Sequence, residues 1–139
     1  MRISVLSSLA FWALVATAPL SAARADECAD ADDQATMNEC ADKAYKASDA
    51  ELNKLYKEIK GRLKDDADTA KLLVSAQKAW IAFRDAECSF SSSGSAEGSV
   101  YPMVVSQCRD GLTQNRVKDF KNYLSCEEGD LSCPVPSAG

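Results

Sequence analysis

The chain has 139 residues, 46% hydrophobic and 27% charged, with a formal charge of −5 at pH 7, six cysteines and no histidine. That length allows one domain, and the acidic balance disfavours nucleic acid and anionic lipid; it suits cationic partners or simply keeps the chain soluble. Without histidine the commonest general base, the usual catalytic triad and most zinc sites are excluded.

Residues 1–25 have the make-up of a cleaved signal peptide. A Met1-Arg2 start leads into the largely apolar run from Ile3 to Leu20, Pro19 sits near its end, and Ala23-Arg24-Ala25 fits a small-x-small cleavage site. The run carries Ser7, Ser8 and Thr17 and is marginal for spanning a bilayer. Ala25, Asp26 and Glu27 precede Cys28, so there is no Leu-x-x-Cys lipidation box. The expected mature protein is therefore periplasmic or secreted and free of the membrane after cleavage. Cleavage after Ala25 would leave 114 residues and remove Arg2 and Arg24, moving the charge to −7.

All six cysteines, Cys28, Cys40, Cys88, Cys108, Cys126 and Cys133, follow the leader. An even set in an exported chain of this size reads as three disulfides, and spacing alone does not select the pairing. Cys126 and Cys133 are expected to join each other. For the remaining four the favoured arrangement is Cys28–Cys88 with Cys40–Cys108. No Cys-x-x-Cys occurs, so no metal is expected.

In chain order, Asp26–Asp33 is an acidic lead-in. Asp30, Asp32 and Gln34 hint at a calcium loop, but the sixth-position Gly and twelfth-position Glu are missing, and helix N-capping is the expected use. From Gln34 onward Met37, Cys40, Ala44, Ser48, Leu52, Leu55, Ile59 and Leu63 recur every three or four residues, predicting a long amphipathic helix with Lys43, Lys46, Lys54 and Lys57 outside. Ser48-Asp-Ala-Glu51 fits a capping box, so the stretch is either one helix or two with a bend near Ser48. Gly61 weakens its end, and the run from Lys64 to Asp68 is a polar turn that supplies the next N-cap.

The next helix is predicted from about Thr69 to Ser89, antiparallel to the first. Within it Leu73, Ala76, Trp80, Phe83 and Glu87 fall near one face, and Trp80 lies four residues before Arg84, so the guanidinium can cover the indole. Gln77 and Trp80 can face one neighbour. The connection from Ser89 to Val100 is rich in Ser and Gly, lacks an apolar period and reads as flexible, either passive or used in binding. Pro102 opens the last helix, whose buried stripe is Val105, Cys108, Leu112, Phe120 and Leu124. Arg116 falls on that stripe and needs a partner, with Asp85 or Glu87 the candidates. From Ser125 to Gly139 the chain reads as a stapled turn and a loose tail. The expected fold is all-α, a small antiparallel bundle of three to four helices stapled by disulfides, with residues 26–125 as the domain and 126–139 as its tail.

Little here suits catalysis. The paired acids Asp85 with Glu87, or Asp110 with Asp119, could in principle serve a glycosidase, but a narrow bundle leaves little room for a sugar groove. Asp85 beside Arg84 is more economically an ion pair, and oxidised cysteines offer no thiolate. No enzyme activity and no cofactor are expected.

Five runs together resemble a known family. They are Gln34-x-x-Met37-Asn38-x-Cys40-Ala41, then Asp49-x-Glu51-Leu52-Asn53-x-x-Tyr56, and centrally Ala76-Gln77-x-Ala79-Trp80-x-x-Phe83-Arg84-Asp85-x-Glu87-Cys88. Gly98-Ser99-x-Tyr101-Pro102 and Cys108-x-x-x-Leu112-Thr113-x-x-Arg116 follow in order. The set is similar to the LprI-type lysozyme-inhibitor domain, a small Cys-bridged module of bacterial envelopes. That resemblance implies an all-α fold, an exported location and, for some members, inhibition of animal-type lysozyme. Some members are lipoproteins, which this chain does not match, and the Cys126–Cys133 extension lies outside the shared runs. Gln77, Trp80, Phe83, Arg84, Asp85 and Arg116 are expected to be structural, with Trp80 and Phe83 in the core.

The leading expectation is a stoichiometric binder of lysozyme, whose cationic surface would meet acidic residues such as Asp65, Asp66, Asp68 and Glu97, with Ser99 in the neighbouring loop. The alternative is an envelope module that holds another periplasmic protein or a cell-wall fragment. No oligomeric state follows from the sequence.

Overall fold

A computed structural model of the protein describes residues 28–138, and the leader reading for residues 1–25 lies outside them. The chain divides into Met1–Asp30 and Ala31–Gly139, and the helices below belong to the second unit. These are α1 (Gln34–Arg62), α2 (Ala67–Ser91) and α3 (Tyr101–Leu124), with a short 3-10 turn at Ser93–Ser95. The fold is the expected all-α bundle, with no strand among the described residues.

Each start has a local cause. Asp33 accepts a hydrogen bond from the Thr36 amide at 2.9 Å, and Asp66 accepts one from the Thr69 amide at 3.0 Å, so each satisfies a backbone donor that the first turn would leave unpaired. α3 instead begins with Pro102 in its first turn, where the missing N–H costs nothing. α1 is a single uninterrupted helix of 29 residues. The bend near Ser48 does not occur, because the Ser48 hydroxyl donates back to the Tyr45 carbonyl at 2.9 Å instead of capping a new helix.

α1 and α3 run the same way and lie side by side, while α2 runs against both and reaches α1 mainly through long side chains. The apolar core is correspondingly placed between α1 and α3. Leu52, Ile59 and Leu63 meet Val117 and Phe120, and Leu55, Tyr56, Leu73, Trp80 and Tyr123 pack around them. Tyr56 stacks on Phe120 with ring centres 6.3 Å apart.

The tail is docked, not loose. Val135 is buried in the same core, and Arg62 donates to the Leu124 carbonyl at 2.9 Å and the Pro136 carbonyl at 3.5 Å, pinning both ends of the tail's approach. Between them Cys126 is bonded to Cys133, as expected, and Gly129 takes a positive φ of 88° that a side chain would strain. The other pairing is corrected: Cys88 is bonded to Cys108, and Cys28 and Cys40 form the third bridge. The antiparallel run of α2 against α3 sets Cys88 opposite Cys108, with Cα atoms 5.6 Å apart, within the reach of a disulfide.

The connection from Ser92 to Val100 is likewise more regular than its composition suggested. Successive turns close through Ser95 N–H to Ser92 O at 3.0 Å, Gly98 N–H to Ser95 O at 2.8 Å and Tyr101 N–H to Gly98 O at 3.1 Å. Ser92 itself is buried.

Candidate functional site

The inward face of α2 is polar. Its buried residues are Gln77, Arg84 and Cys88, while Ala76, Phe83 and Glu87 are exposed, Phe83 by 55%. The expected face is thus turned by one residue, about 100° of helix. Phe83 is not a core residue, and Trp80 is half-buried against the core's edge. The turn of the face has a physical reason: each inward polar group finds a partner that α1 or α3 provides.

Arg84 is the clearest case. Its Nε donates to Asp85 Oδ1 at 3.0 Å and one terminal nitrogen lies 3.4 Å from Asp49 Oδ1 on α1. The guanidinium carbon sits 5.2 Å from the Trp80 ring centre and 5.4 Å from that of Tyr45, so the cation has an aromatic face on either side. Asp85 also meets Arg109 Nε of α3 at 3.4 Å. Two cations and two carboxylates therefore join all three helices with their charges balanced, which is what a poorly solvated arginine requires. Burial pushes the Tyr45 phenol above its ordinary value, with Arg84 partly opposing it.

Arg116 is paired differently from expectation. It meets neither Asp85 nor Glu87; its Nε donates to Gln77 Oε1 at 3.3 Å, a terminal nitrogen approaches Asp119 at 3.4 Å, and its guanidinium lies 4.6 Å from the Phe120 ring centre. Asp85 and Glu87 sit further along α2, on the far side of the turn that carries Gln77. Gln77, Trp80, Arg84, Asp85 and Arg116 are thus each held by contacts within and between the helices. Tyr45, Asp49 and Arg109 belong with them and were missed. The signal for Arg109 was present only through the bridge: once Cys88 meets Cys108, Asp85 and Arg109 are brought to one level.

The acidic candidates separate into two groups. Asp65, Asp66 and Asp68 lie at the α1–α2 turn, and the stapled tail adds Glu127, Glu128 and Asp130 around a shallow depression of about 320 Å³ that Asp66 also lines. Hydrogen bonds from Thr69 hold the Asp66 carboxyl below the usual range, and those from Ser132 do the same for Asp130, so both are ionised well into acid. Lys64 and Lys71 stand beside Asp65 and Asp68 in exposed pairs of little energetic weight. Glu97 and Ser99 belong to the other end of the bundle, where the Asn38 amide donates to the Ser99 carbonyl at 3.1 Å. The length of α1, about 43 Å, separates the two ends, so the five residues do not make one surface. No group of acids and cysteines among the described residues could hold a metal ion.

The family model described as lysozyme inhibitor LprI matches residues 25–120. The chain belongs to the LprI family. An uncharacterised protein of Rhizobium meliloti (strain 1021) is 35% identical over 127 residues, covering 83% of this chain and 91% of that one. No solved structure matches. The runs shared with LprI acquire physical meaning in the bundle. Gln34 and Asn38 hold each other at 2.8 Å and Asn38 clasps the Gly98–Pro102 run, while the central Gln77–Cys88 run is the polar face of α2 together with its bridge. The LprI match ends before the acidic tail turn.

Proposed function

We propose that this LprI chain is exported, loses residues 1–25, and inhibits lysozyme by binding it without turnover. The match to the LprI inhibitor family over residues 25–120 carries the reading. Three disulfides support a place outside the cytosol, and no described helix is long and apolar enough to cross a membrane. Its acidic end supplies the complementarity. Asp65, Asp66 and Asp68 with Glu127, Glu128 and Asp130 present carboxylates on two adjoining turns, and a strongly cationic enzyme gains encounter rate and orientation from such a patch. Arg84 and Asp85, although charged, are committed to each other and take no part.

The test is a cell-wall lysis assay with the purified mature protein. Lysozyme activity should fall as the protein approaches equimolar amounts, and the effect should weaken with salt as charge steering is screened. Replacing Asp65, Asp68, Glu127 and Glu128 together by their amides should weaken inhibition, while Glu97→Gln at the other end should not. Full lysozyme activity at a several-fold molar excess would end this reading.

A further inference from the structure

The outward face of α2 carries an apolar stripe that nothing in the bundle covers. Leu72, Ala76, Ala79, Phe83, Ala86 and Phe90 follow at spacings of four, three, four, three and four, and all six are exposed, Leu72 by 70% and Phe90 by 77%. That alternation is the seam of a two-helix coiled coil, placed on the side of α2 away from Gln77, Arg84 and Cys88. A helix facing only water has no use for it.

We propose that α2 pairs along this stripe with α2 of a second copy of the chain, antiparallel, about a two-fold axis between Ala79 and Phe83. The stripe is complementary to itself in that sense: Phe83 packs over Ala79 of the other copy, Ala76 meets Ala86, and Leu72 meets Phe90. The parallel alternative sets the two Phe83 rings in one layer and the two Ala79 methyls in the next, leaving the volume uneven along the seam. Two acidic chains can approach here because the seam has no charge and one flank is Ser75, Ala82 and Ser89. A single exposed carboxylate beside the stripe, Glu87, makes it a poor match for a cationic enzyme, and Lys71 and Lys78 on the other flank, the first paired with Asp68, are too few for a lipid surface. From Leu72 to Phe90 the stripe is about 27 Å long, so the pair covers on the order of 1,000 Å². That is the low end for a specific contact, and the dimer should be in equilibrium with monomer.

Sedimentation equilibrium of the protein purified from an expressing bacterium tests this. The mean mass should climb towards twice the monomer's between about 10 µM and 1 mM, the range of a weak, reversible contact. Phe83→Glu and Ala79→Lys chains should each stay monomeric, and circular dichroism should show both still helical because the two positions face solvent. Mixed, these two chains should associate, since an antiparallel seam sets position 79 of one against position 83 of the other. A wild-type protein that is monomeric throughout, association untouched by Phe83→Glu, no rescue on mixing, or co-sedimentation with anionic vesicles instead of self-association would each overturn the proposal.

Discussion

The guanidinium of Arg84 lies over the ring of Trp80, the residue one turn before it, 5.2 Å from the ring centre. The contact fixes the side of α2 that faces inward, because Tyr45 of α1 closes over the other face of the cation and Asp49 and Asp85 neutralise it. Removing Arg84 leaves two carboxylates at a three-helix junction with one cation, Arg109, beside Asp85 and none beside Asp49. Arg84→Ala should lose about 2–3 kcal/mol, below the usual figure for a buried pair because both acids keep some contact with water. Arg84→Lys should recover only part of it, since an ammonium offers neither the planar fork nor the stacking. Urea unfolding of the three proteins measures both.

Trp80 and Phe83 should respond very differently to truncation. Trp80 is half-buried and packs on the core, so Trp80→Ala should cost about 2–3 kcal/mol, less than the 3–5 typical of a fully enclosed ring. Phe83 is exposed, and in dilute solution Phe83→Ala should change stability by no more than about 0.5 kcal/mol. Phe120, fully buried, supplies the upper reference in the same denaturation series.

The tail adds to the core, so shortening it should destabilise the bundle. Val135→Ala removes two methyl groups from the cluster around Ile59 and Leu63 and should cost about 2 kcal/mol. Leu131 is fully exposed in the same tail, and Leu131→Ala should leave the melting temperature unchanged.

Acid should weaken the protein through its capping carboxylates. Asp33, Asp66 and Asp130 are all held below the ordinary carboxylate range by the hydrogen bonds their carboxylates accept from Thr36, Thr69 and Ser132. A lowered folded pKa gives stability that is complete above the unfolded value and is lost as pH falls through the folded one. The melting temperature should therefore be level from neutral pH to about 5 and decline below about 4. Asp66→Asn, which keeps the cap acceptor without the charge, should flatten that decline; a steeper fall in the variant would refute the assignment.

Much of the bundle was legible because helix periodicity is a local property. The long apolar recurrence from Met37 to Leu63, the polar turn from Lys64 to Asp68 and Pro102 place three helices within a residue or two of where they stand. What failed depends on partners far along the chain. Spacing puts Phe83 on one face with Leu73 and Trp80, yet Gln77 and Arg84 take the inward positions once Arg116 and Asp49 are there to pair with them. The Cys28–Cys88 and Cys40–Cys108 pairings fail for the same reason, since the bridge from Cys88 to Cys108 follows from how α2 lies on α3, whereas Cys126–Cys133 is local and holds. The acidic end was half visible: Asp65, Asp66 and Asp68 stand out in any reading, but Glu127, Glu128 and Asp130 join them only because Val135 folds the tail back.

The bridge between Cys88 and Cys108 spans a sequence separation of 20 and encloses the whole Ser-rich connection. A protease that cuts anywhere from Ser92 to Val100 therefore produces two polypeptides that still travel as one body, and the nick becomes visible on a gel only after a reductant is added. That closed ring lets peptide bonds of the connection be severed without the halves parting.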